Sequence, residues 1–349
     1  MLGKSFKILK WMGIGILSLI LLLFAVRWIG RGINSRVPRG GINESMYVDI
    51  NGSKQWICIY GHDRNNPVLL YLHGGPGSAT SLYDYAFTRK WADVYTVVTW
   101  DQRGCGKSYD KSHPQAITTD VMMQDGKAMT EFLRDCLQVP KITLLGHSWG
   151  SYFGANLALA YPEYYDAFIG TGQFIDWNQN EHRLYDAAAT WSQNDPAGRE
   201  MVEKWGAASG TEEGLLLRDG IMERYGYGMM KDGTDYSMAA AILFNPYYSL
   251  KDIWAFLHSG EDVFGQYVPF ILSEEFKDMS LLGRYDYAVP YYNINGDIDY
   301  QTNYSLACEY FEHVNAPKKH MFVMKDATHG LLESRSEEFS VYLHQIAAL

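Results

Sequence analysis

Three residues of the types that carry out acyl transfer each follow an apolar run of the sequence, in the order Ser148, Asp299, His329. A serine hydroxyl is a poor nucleophile until a base removes its proton, and that base is usually a histidine oriented by a carboxylate. In open parallel sheets such groups gather at the carboxyl ends of the strands. If each apolar run is a strand, the sequence predicts a Ser-His-Asp triad at that edge.

Ser148 lies at the centre of Gly146-His-Ser-Trp-Gly150, between an apolar run over 141–145 and a helical pattern over 151–161. This is the sequence form of a nucleophile elbow, a sharp strand-to-helix turn that exposes the serine. A Cβ atom at either glycine would collide with the neighbouring strand or helix. The helix N-terminus would direct free N–H groups toward the negative charge that develops in the reaction.

Asp299 and His329 are the predicted partners of the serine. Asp299 ends the segment Gly-Asp-Ile-Asp, in which Asp297 is a rival; we prefer Asp299 because it lies further into the loop. His329 follows the last predicted strand, with a glycine directly after it. Asp299 would hold the imidazole tautomer, and His329 would deprotonate Ser148 and then protonate the leaving group.

Two backbone N–H groups are expected to bind the oxyanion of the tetrahedral intermediate. One belongs to Trp149, directly after the nucleophile. The other should come from the loop after the third predicted strand, which reads His73-Gly-Gly-Pro-Gly77. We assign this second donor to Gly75.

The apolar runs that position these residues predict an α/β fold. They alternate with turns and helical patterns, which is typical of a mostly parallel sheet with helices on both faces. Two strands joined by Asn51-Gly52, a strong hairpin signal, lead the sheet. The predicted strands cover 46–50, 54–60, 67–72, 95–100, 141–145, 166–171, 289–294 and 320–324.

The strand pattern stops between 173 and 283, where a helix-like segment rich in aromatic residues and methionine predicts an inserted helical cap. We therefore divide the chain into three parts. They are an N-terminal anchor and tether (1–40), an α/β core (41–172 and 284–349) and the cap (173–283).

Residues 11–29 form one apolar block, interrupted only by Arg27. Crossing a bilayer takes about 20 such residues, so the block is at the short end. Trp11 and Trp28 would lie at the two interfaces, and Arg27 could extend its guanidinium to the headgroups. We predict an uncleaved single-pass anchor in the lipid bilayer rather than a signal peptide, because a clean small-x-small cleavage site is lacking. Residues 30–44 would form a short tether.

The basic residues around the block do not select a side of the membrane for the catalytic domain. Three lysines precede the block and four arginines lie at or after its end. The remainder of the chain after residue 40 has 23 basic and 40 acidic residues, which argues against nucleic acid as a partner. The four cysteines are far apart and form no Cys/His cluster, so we expect no zinc site.

Three motifs together resemble those of the α/β-hydrolase proline iminopeptidases, serine aminopeptidases that release N-terminal residues. They are His73-Gly-Gly-Pro-Gly77, Asp101-Gln-Arg-Gly-Cys-Gly-Lys-Ser108 and Gly146-His-Ser-Trp-Gly-Ser151. The resemblance covers residues from about 45 to 175 and from about 285 to the end. It implies the same triad and oxyanion donors, no metal or other cofactor, and loop-supporting roles for His73, Gly74, Gly77, Asp101 and Arg103.

The cap departs from that family, whose members hold the substrate's free amine with cap glutamates. The nearest similar stretch here, 239–245, has Asn245 where the acid is expected. The sequence does not choose among four other cap acids, Glu212, Glu213, Glu223 and Glu261.

We therefore predict a membrane-anchored serine hydrolase of the proline iminopeptidase type that acts on a small peptide, or on another small acyl or amide substrate, through an acyl-enzyme. An esterase or amidase for an apolar or lipid-like substrate is the alternative that the anchor and the apolar cap favour. A non-catalytic ligand receptor on a hydrolase scaffold is a third possibility, because a fold does not fix a function.

Overall fold

An eight-stranded sheet forms the centre of the structure. The computed structural model describes residues 2–349, with side chains from Lys10 onward. The sheet order is β1-β2-β4-β3-β5-β6-β7-β8, with β2 antiparallel to β1 and β4 and the other pairs parallel. The predicted mostly parallel sheet led by an antiparallel hairpin is confirmed. The strands are β1 (Ile42–Ile50), β2 (Ser53–Gly61), β3 (Val68–Leu72), β4 (Thr96–Asp101), β5 (Ile142–His147), β6 (Tyr165–Thr171), β7 (Tyr291–Gly296) and β8 (Lys319–Met324).

The hairpin turn between β1 and β2 follows from its two residues. Asn51 and Gly52 have φ angles of 49° and 75°, and left-handed residues at both central positions match the right-handed twist of the strands they join. The turn pairs Ile50 with Ser53. The strands are longer than predicted, because β1 also includes residues 42–45.

Helices pack on both faces of the sheet and bury its apolar strands. All five residues of β3 are buried, as expected for a central parallel strand covered on both sides. The helices of this core are α2 (Tyr85–Thr88), α3 (Thr119–Leu137), α4 (Trp149–Ala160), α12 (Tyr304–His313), α13 (Leu331–Ser334) and α14 (Ser336–Ala347).

Seven further helices lie between β6 and β7, within the segment predicted as the cap. They have a small apolar core of their own, which includes Leu184, Trp205 and Ile221. The helices are α5 (Trp177–Trp191), α6 (Pro196–Ala207), α7 (Glu212–Arg224), α8 (Met238–Leu243), α9 (Leu250–His258), α10 (Gly260–Ile271) and α11 (Glu274–Lys277).

The N-terminal helix α1 runs over Leu2–Asn34, and its segment Lys10–Asn34 is long and apolar enough to cross a membrane. Two expectations about this region are wrong. The tether does not begin at residue 30, since the helix continues to Asn34 and β1 begins at Ile42. Arg27 does not extend outward but is buried, and its guanidinium donates to the carbonyl oxygens of Leu243 and Tyr248.

Candidate active site

The predicted elbow forms between β5 and α4. Ser148 has φ 56° and ψ −124°, a sparsely populated conformation that costs on the order of 1–3 kcal/mol in a non-glycine residue. The two glycines leave the space that this turn needs. A Cβ atom on Gly146 would lie 2.1 Å from the carbonyl oxygen of Gly150, and one on Gly150 would lie 2.1 Å from that of Leu72. The elbow is therefore held closely between β3 and the start of α4.

The loops after β7 and β8 bring Asp299 and His329 together. His329 Nδ1 lies 2.8 Å from Asp299 Oδ2, and both side chains are buried. Thr302 holds the carboxylate through its backbone N–H to Oδ1 and its hydroxyl to Oδ2, each at 3.0 Å. Asp297 instead accepts the backbone N–H of Asp326 at 2.7 Å. The carboxylate on the imidazole is thus that of Asp299.

His329 also contacts His147, the residue before Ser148. His147 Nε2 donates to the carbonyl oxygen of His329 at 3.0 Å, and the two rings lie 4.7 Å apart. Burial, followed by the charge of His329, lowers the pKa of His147 to about 3, so its ring stays neutral. Within the described residues, His329 Nε2 is buried without a hydrogen-bond partner, and it makes no bond to the hydroxyl of Ser148. Such bonds are often long before substrate binds.

The loop after β3 lies against Ser148. A Cβ atom on Gly74 would lie 3.0 Å from the Cβ of Ser148. Gly75, the next residue, has φ +114°, which favours glycine. Among the residues that the structure describes, the N–H groups of Gly75 and Trp149 donate to no acceptor. Both predicted oxyanion donors are therefore free to bind a ligand oxygen.

Gln102, within the Asp101–Arg103 motif, connects this loop to the elbow. Its side-chain amide donates to the carbonyl oxygen of His73 at 3.1 Å and accepts from Trp149 Nε1 at 3.2 Å. Its backbone N–H donates to His73 Nε2, while His73 Nδ1 donates to the carbonyl oxygen of Gly74. Burial lowers the pKa of His73 to about 4, so this ring is also neutral. These bonds fix the chain segments that carry both predicted oxyanion donors.

Asp101 and Arg103 bond the loop after β4 to other parts of the core. Asp101 Oδ2 accepts from the Ser81 hydroxyl and the Lys107 N–H, each at 2.7 Å, and burial raises the pKa of this carboxyl to about 6. Arg103 binds Asp125 through Nε at 2.6 Å and Nη2 at 2.8 Å, a buried bidentate ion pair.

The cap packs directly onto this loop system. A Cβ atom on Gly77 would lie 2.6 Å from the ring of Tyr267, a buried residue of α10. The hydroxyl of Tyr267 donates to the carbonyl oxygen of Arg103. Gly77 is thus required for close approach between the loop after β3 and α10.

The cap residues considered for a substrate amine are either buried and bonded or exposed. Asn245 is fully buried, and its side-chain amide donates to the carbonyl oxygens of Ser81 and Leu82 at 2.9 and 2.8 Å. It therefore stabilises the cap against the core. The four glutamates considered from the sequence all have exposed side chains: Glu212, Glu213, Glu223 and Glu261.

Three residues of the site are not predicted from the sequence. Gln102 lies inside the motif 101–108, but the prediction names only its neighbours Asp101 and Arg103. His147 lies inside the elbow motif, at a position that Gly-x-Ser-x-Gly leaves open. Thr302 gave no signal, because a threonine three residues after an aspartate is common in any loop.

Comparison with known proteins agrees with this geometry. The α/β hydrolase fold family model matches residues 67–203. The probable aminopeptidase YbaC of Bacillus subtilis (strain 168) is 25% identical over 291 residues, which cover 81% of this chain and 89% of that protein. A proline iminopeptidase of Neisseria gonorrhoeae is 35% identical over 134 residues, 38% of this chain and 40% of that protein. The crystal structure of a proline iminopeptidase from Mycobacterium smegmatis aligns with a TM-score of 0.62 and 21% identity, covering 87% of this chain and 99% of that one.

The sheet order, the elbow and the matching family model together show the α/β-hydrolase fold. The predicted fold class is thereby confirmed. Within this class the chain is similar to the proline iminopeptidases and to a probable aminopeptidase, so the predicted resemblance is also confirmed.

Proposed function

We propose that the chain is a serine hydrolase in which Ser148 is the nucleophile, His329 the general base and Asp299 the carboxylate that orients it. The observation that carries this proposal is the 2.8 Å bond from His329 Nδ1 to Asp299. This bond leaves the lone pair on Nε2, which is buried and unpartnered among the described residues. A nitrogen in that state can accept the proton of a serine hydroxyl.

The reaction would proceed in two halves. His329 Nε2 takes the proton of Ser148 as the serine oxygen attacks the substrate carbonyl, and the N–H groups of Gly75 and Trp149 bind the oxyanion. The imidazolium then gives its proton to the leaving amine or alcohol as the carbon–leaving-group bond breaks. Water, deprotonated by the same nitrogen, hydrolyses the acyl-enzyme and regenerates the serine.

The similarity to a probable aminopeptidase and to proline iminopeptidases supports a short peptide substrate with a small or apolar N-terminal residue.

We also propose that α1 anchors the enzyme in a lipid bilayer through residues 11–29. Its last two turns form part of the folded structure, since Arg27, Arg31 and Asn34 donate to backbone carbonyls of the cap. A cleaved signal peptide would lose these bonds, so the contacts support a helix that is retained.

An esterase or amidase for an apolar or lipid-like substrate is a second candidate. Two features favour it: the apolar helix α1, and a groove beside the loop after β3 that is bordered by Phe256, Phe264 and Tyr267. These side chains suit an acyl chain better than a charged peptide.

Labelling by a fluorophosphonate probe tests the chemistry. Wild-type protein should be labelled, Ser148→Ala should not, and Ser209→Ala, which changes an exposed serine of the cap, should label normally. If the wild-type protein is not labelled, the proposal of a serine hydrolase is contradicted and that of a non-catalytic ligand receptor is favoured.

Rates on aminoacyl-naphthylamides with free and acetyl-blocked amines separate the two enzyme candidates. An aminopeptidase should lose most of its activity on the blocked substrates. Equal rates on both, together with faster turnover of long-chain acyl esters, would replace the aminopeptidase by the esterase or amidase.

A further inference from the structure

Helix α9 exposes an apolar face. Leu250, Trp254 and Leu257 recur at i, i+4 and i+7, so they share one side of the helix, and they are 46%, 63% and 59% exposed. Phe264, on the adjoining helix α10, is 40% exposed. Within the described range Leu250–His258 no residue is buried. Clusters of large exposed apolar side chains usually mark a contact with a protein or a membrane.

The chain segment that leads into α9 is fixed to the end of α1. Arg27 Nη2 donates to the carbonyl oxygen of Tyr248 at 2.7 Å, and Arg31 Nη2 to that of Pro246 at 2.8 Å. Phe244 packs so closely on Gly30 that a Cβ atom there would lie 2.4 Å from its ring. The segment that precedes α9 is therefore held beside residues 27–31 of α1. These residues span about 6 Å along the helix axis, at a rise of 1.5 Å per residue.

This level is where α1 stops being apolar on all of its sides. Large apolar side chains are exposed on every side of the helix up to Val26, and beyond it Trp28, Ile29 and Ile33 are exposed on one side only. A helix that is apolar all round suits hydrocarbon, and tryptophan favours the interface between hydrocarbon and water. The face of α9 begins beside this position and carries its own exposed tryptophan, Trp254.

We infer that the α9 face formed by Leu250, Trp254 and Leu257 is a second membrane contact, which lies in the bilayer interface next to α1. This inference rests on the proposed anchoring by α1. The bilayer is the favoured occupant because it covers the exposed surface of α1 and the neighbouring face of α9 together. Amphipathic helices with aromatic and aliphatic residues on one side bind membranes in this orientation.

The contact would place the mouth of a groove at the lipid surface. A cavity of about 480 Å³ is lined by Trp254 and Phe256 of α9 and by Tyr248. A second one, of about 240 Å³, shares Phe256 with the first and extends to Gly77 in the loop after β3. An amphiphile leaving the bilayer beside Trp254 would therefore enter a groove that leads toward the oxyanion loop.

Site-specific fluorescence of the full chain in vesicles of phosphatidylcholine and phosphatidylglycerol tests the inference. Cys136 and Cys308 are first replaced by serine, which leaves the buried Cys58 and Cys105. Single cysteines are then introduced as Trp254→Cys or Leu257→Cys and labelled with nitrobenzoxadiazole. The emission of both labels should shift to the blue and lose intensity when the lipids carry nitroxide groups on their acyl chains.

Two control positions make the result decisive. Leu216→Cys, an exposed apolar position on α7 that is not adjacent to α1, should give solvent-like emission without quenching. Leu21→Cys, in the middle of the α1 apolar stretch, should be quenched if α1 spans the bilayer. An unquenched label at residue 21 would overturn the proposed anchor itself.

Other results would overturn the inference about α9 without affecting the proposed anchor. Quenching at residue 21 with solvent-like emission at both 254 and 257 would leave the anchor standing and overturn the second contact. Blue-shifted emission at 254 and 257 without quenching by the lipid nitroxides would show that protein, such as a second copy of this chain, covers the face. That outcome would also overturn it.

Discussion

His329 Nδ1 donates to Asp299 Oδ2 across 2.8 Å in a pocket where both side chains are buried. Because the carboxylate accepts this proton, the opposite ring nitrogen carries the lone pair that a general base needs. Thr302 occupies both carboxylate oxygens with further donors, which fixes the plane of the carboxylate. The contact with Asp299 thus places the imidazole proton on Nδ1, and Thr302 holds the carboxylate that accepts it.

Asp299→Asn should lower kcat by roughly 10⁴-fold with little loss of stability, since the amide can hold the imidazole in the wrong tautomer. Asp297→Asn is the matched control, because it changes a carboxylate two residues away that bonds only the Asp326 N–H in the described structure. Steady-state kinetics on a substrate identified by the amine-blocking comparison would measure both variants. A larger loss in Asp297→Asn would reassign the triad acid.

The fold was largely predictable because its strands are short apolar runs with clear turns between them. β3 is buried at every position and reads as a continuous apolar segment. The hairpin was predictable from Asn51-Gly52 alone, because that pair suits two left-handed residues in succession. The boundaries were less accurate, since the polar first half of β1 pairs through its backbone and leaves no apolar signal.

The contacts of α1 could not be predicted, because they depend on distant parts of the chain. Arg27 in an apolar block suggests a side chain that reaches toward headgroups. In the structure its partners are carbonyl oxygens more than 200 residues away, at Leu243 and Tyr248. Asn245 is a similar case, since its buried bonds to Ser81 and Leu82 exist only once the cap is folded onto the core.

Gln102→Met should lower kcat more than it raises KM. The methionine has nearly the same size but removes the bonds to the His73 carbonyl and to Trp149 Nε1, which fix the segments that carry the two proposed oxyanion donors. Leaving each buried partner unpaired costs about 1–3 kcal/mol in stability.

Gln55→Met is the matched control for this positioning role. Gln55 is equally buried and also bridges a tryptophan to an acceptor, in this case Trp100 and Asp125. It should lose a similar amount of stability in urea unfolding while kcat stays near that of the wild type. If both variants lost kcat equally, the effect of Gln102 would be one of stability alone.

Gly150→Ala should destabilise the fold by more than about 4 kcal/mol, the range of exceptional single substitutions. The new Cβ atom would lie 2.1 Å from the carbonyl oxygen of Leu72 and 2.7 Å from that of His73, and backbone atoms of a central strand cannot move aside. Gly260→Ala, where no atom lies within 4 Å of the added Cβ, should leave stability unchanged or slightly raised. Thermal unfolding would distinguish them, and similar melting temperatures would contradict the close packing of the elbow.

Glu333→Gln should remove a pH dependence of stability. Burial raises the pKa of Glu333 from 4.5 to about 7, and Oε2 has no hydrogen-bond partner among the described residues. Between these two values the folded chain holds a proton that the unfolded chain releases, so the free energy of unfolding falls as pH rises. Above about pH 7 this loss of stability is complete. The pKa shift of Glu333 corresponds to a loss of about 3 kcal/mol in the free energy of unfolding.

The difference in unfolding free energy between wild type and Glu333→Gln reports on this carboxyl alone. The buried histidines His73 and His147 contribute equally to both chains, and their lowered pKa values make stability rise with pH. Below about pH 4.5 both chains are neutral at residue 333, so their difference in unfolding free energy should be constant. As pH rises to about 7, Glu333→Gln should become progressively more stable than the wild type. Urea unfolding across this range measures the trend, and Glu163→Gln, at an exposed position, should show a small difference throughout. A Glu333→Gln difference that does not change with pH would mean that Glu333 is already ionised in the folded chain, with a partner for its carboxylate.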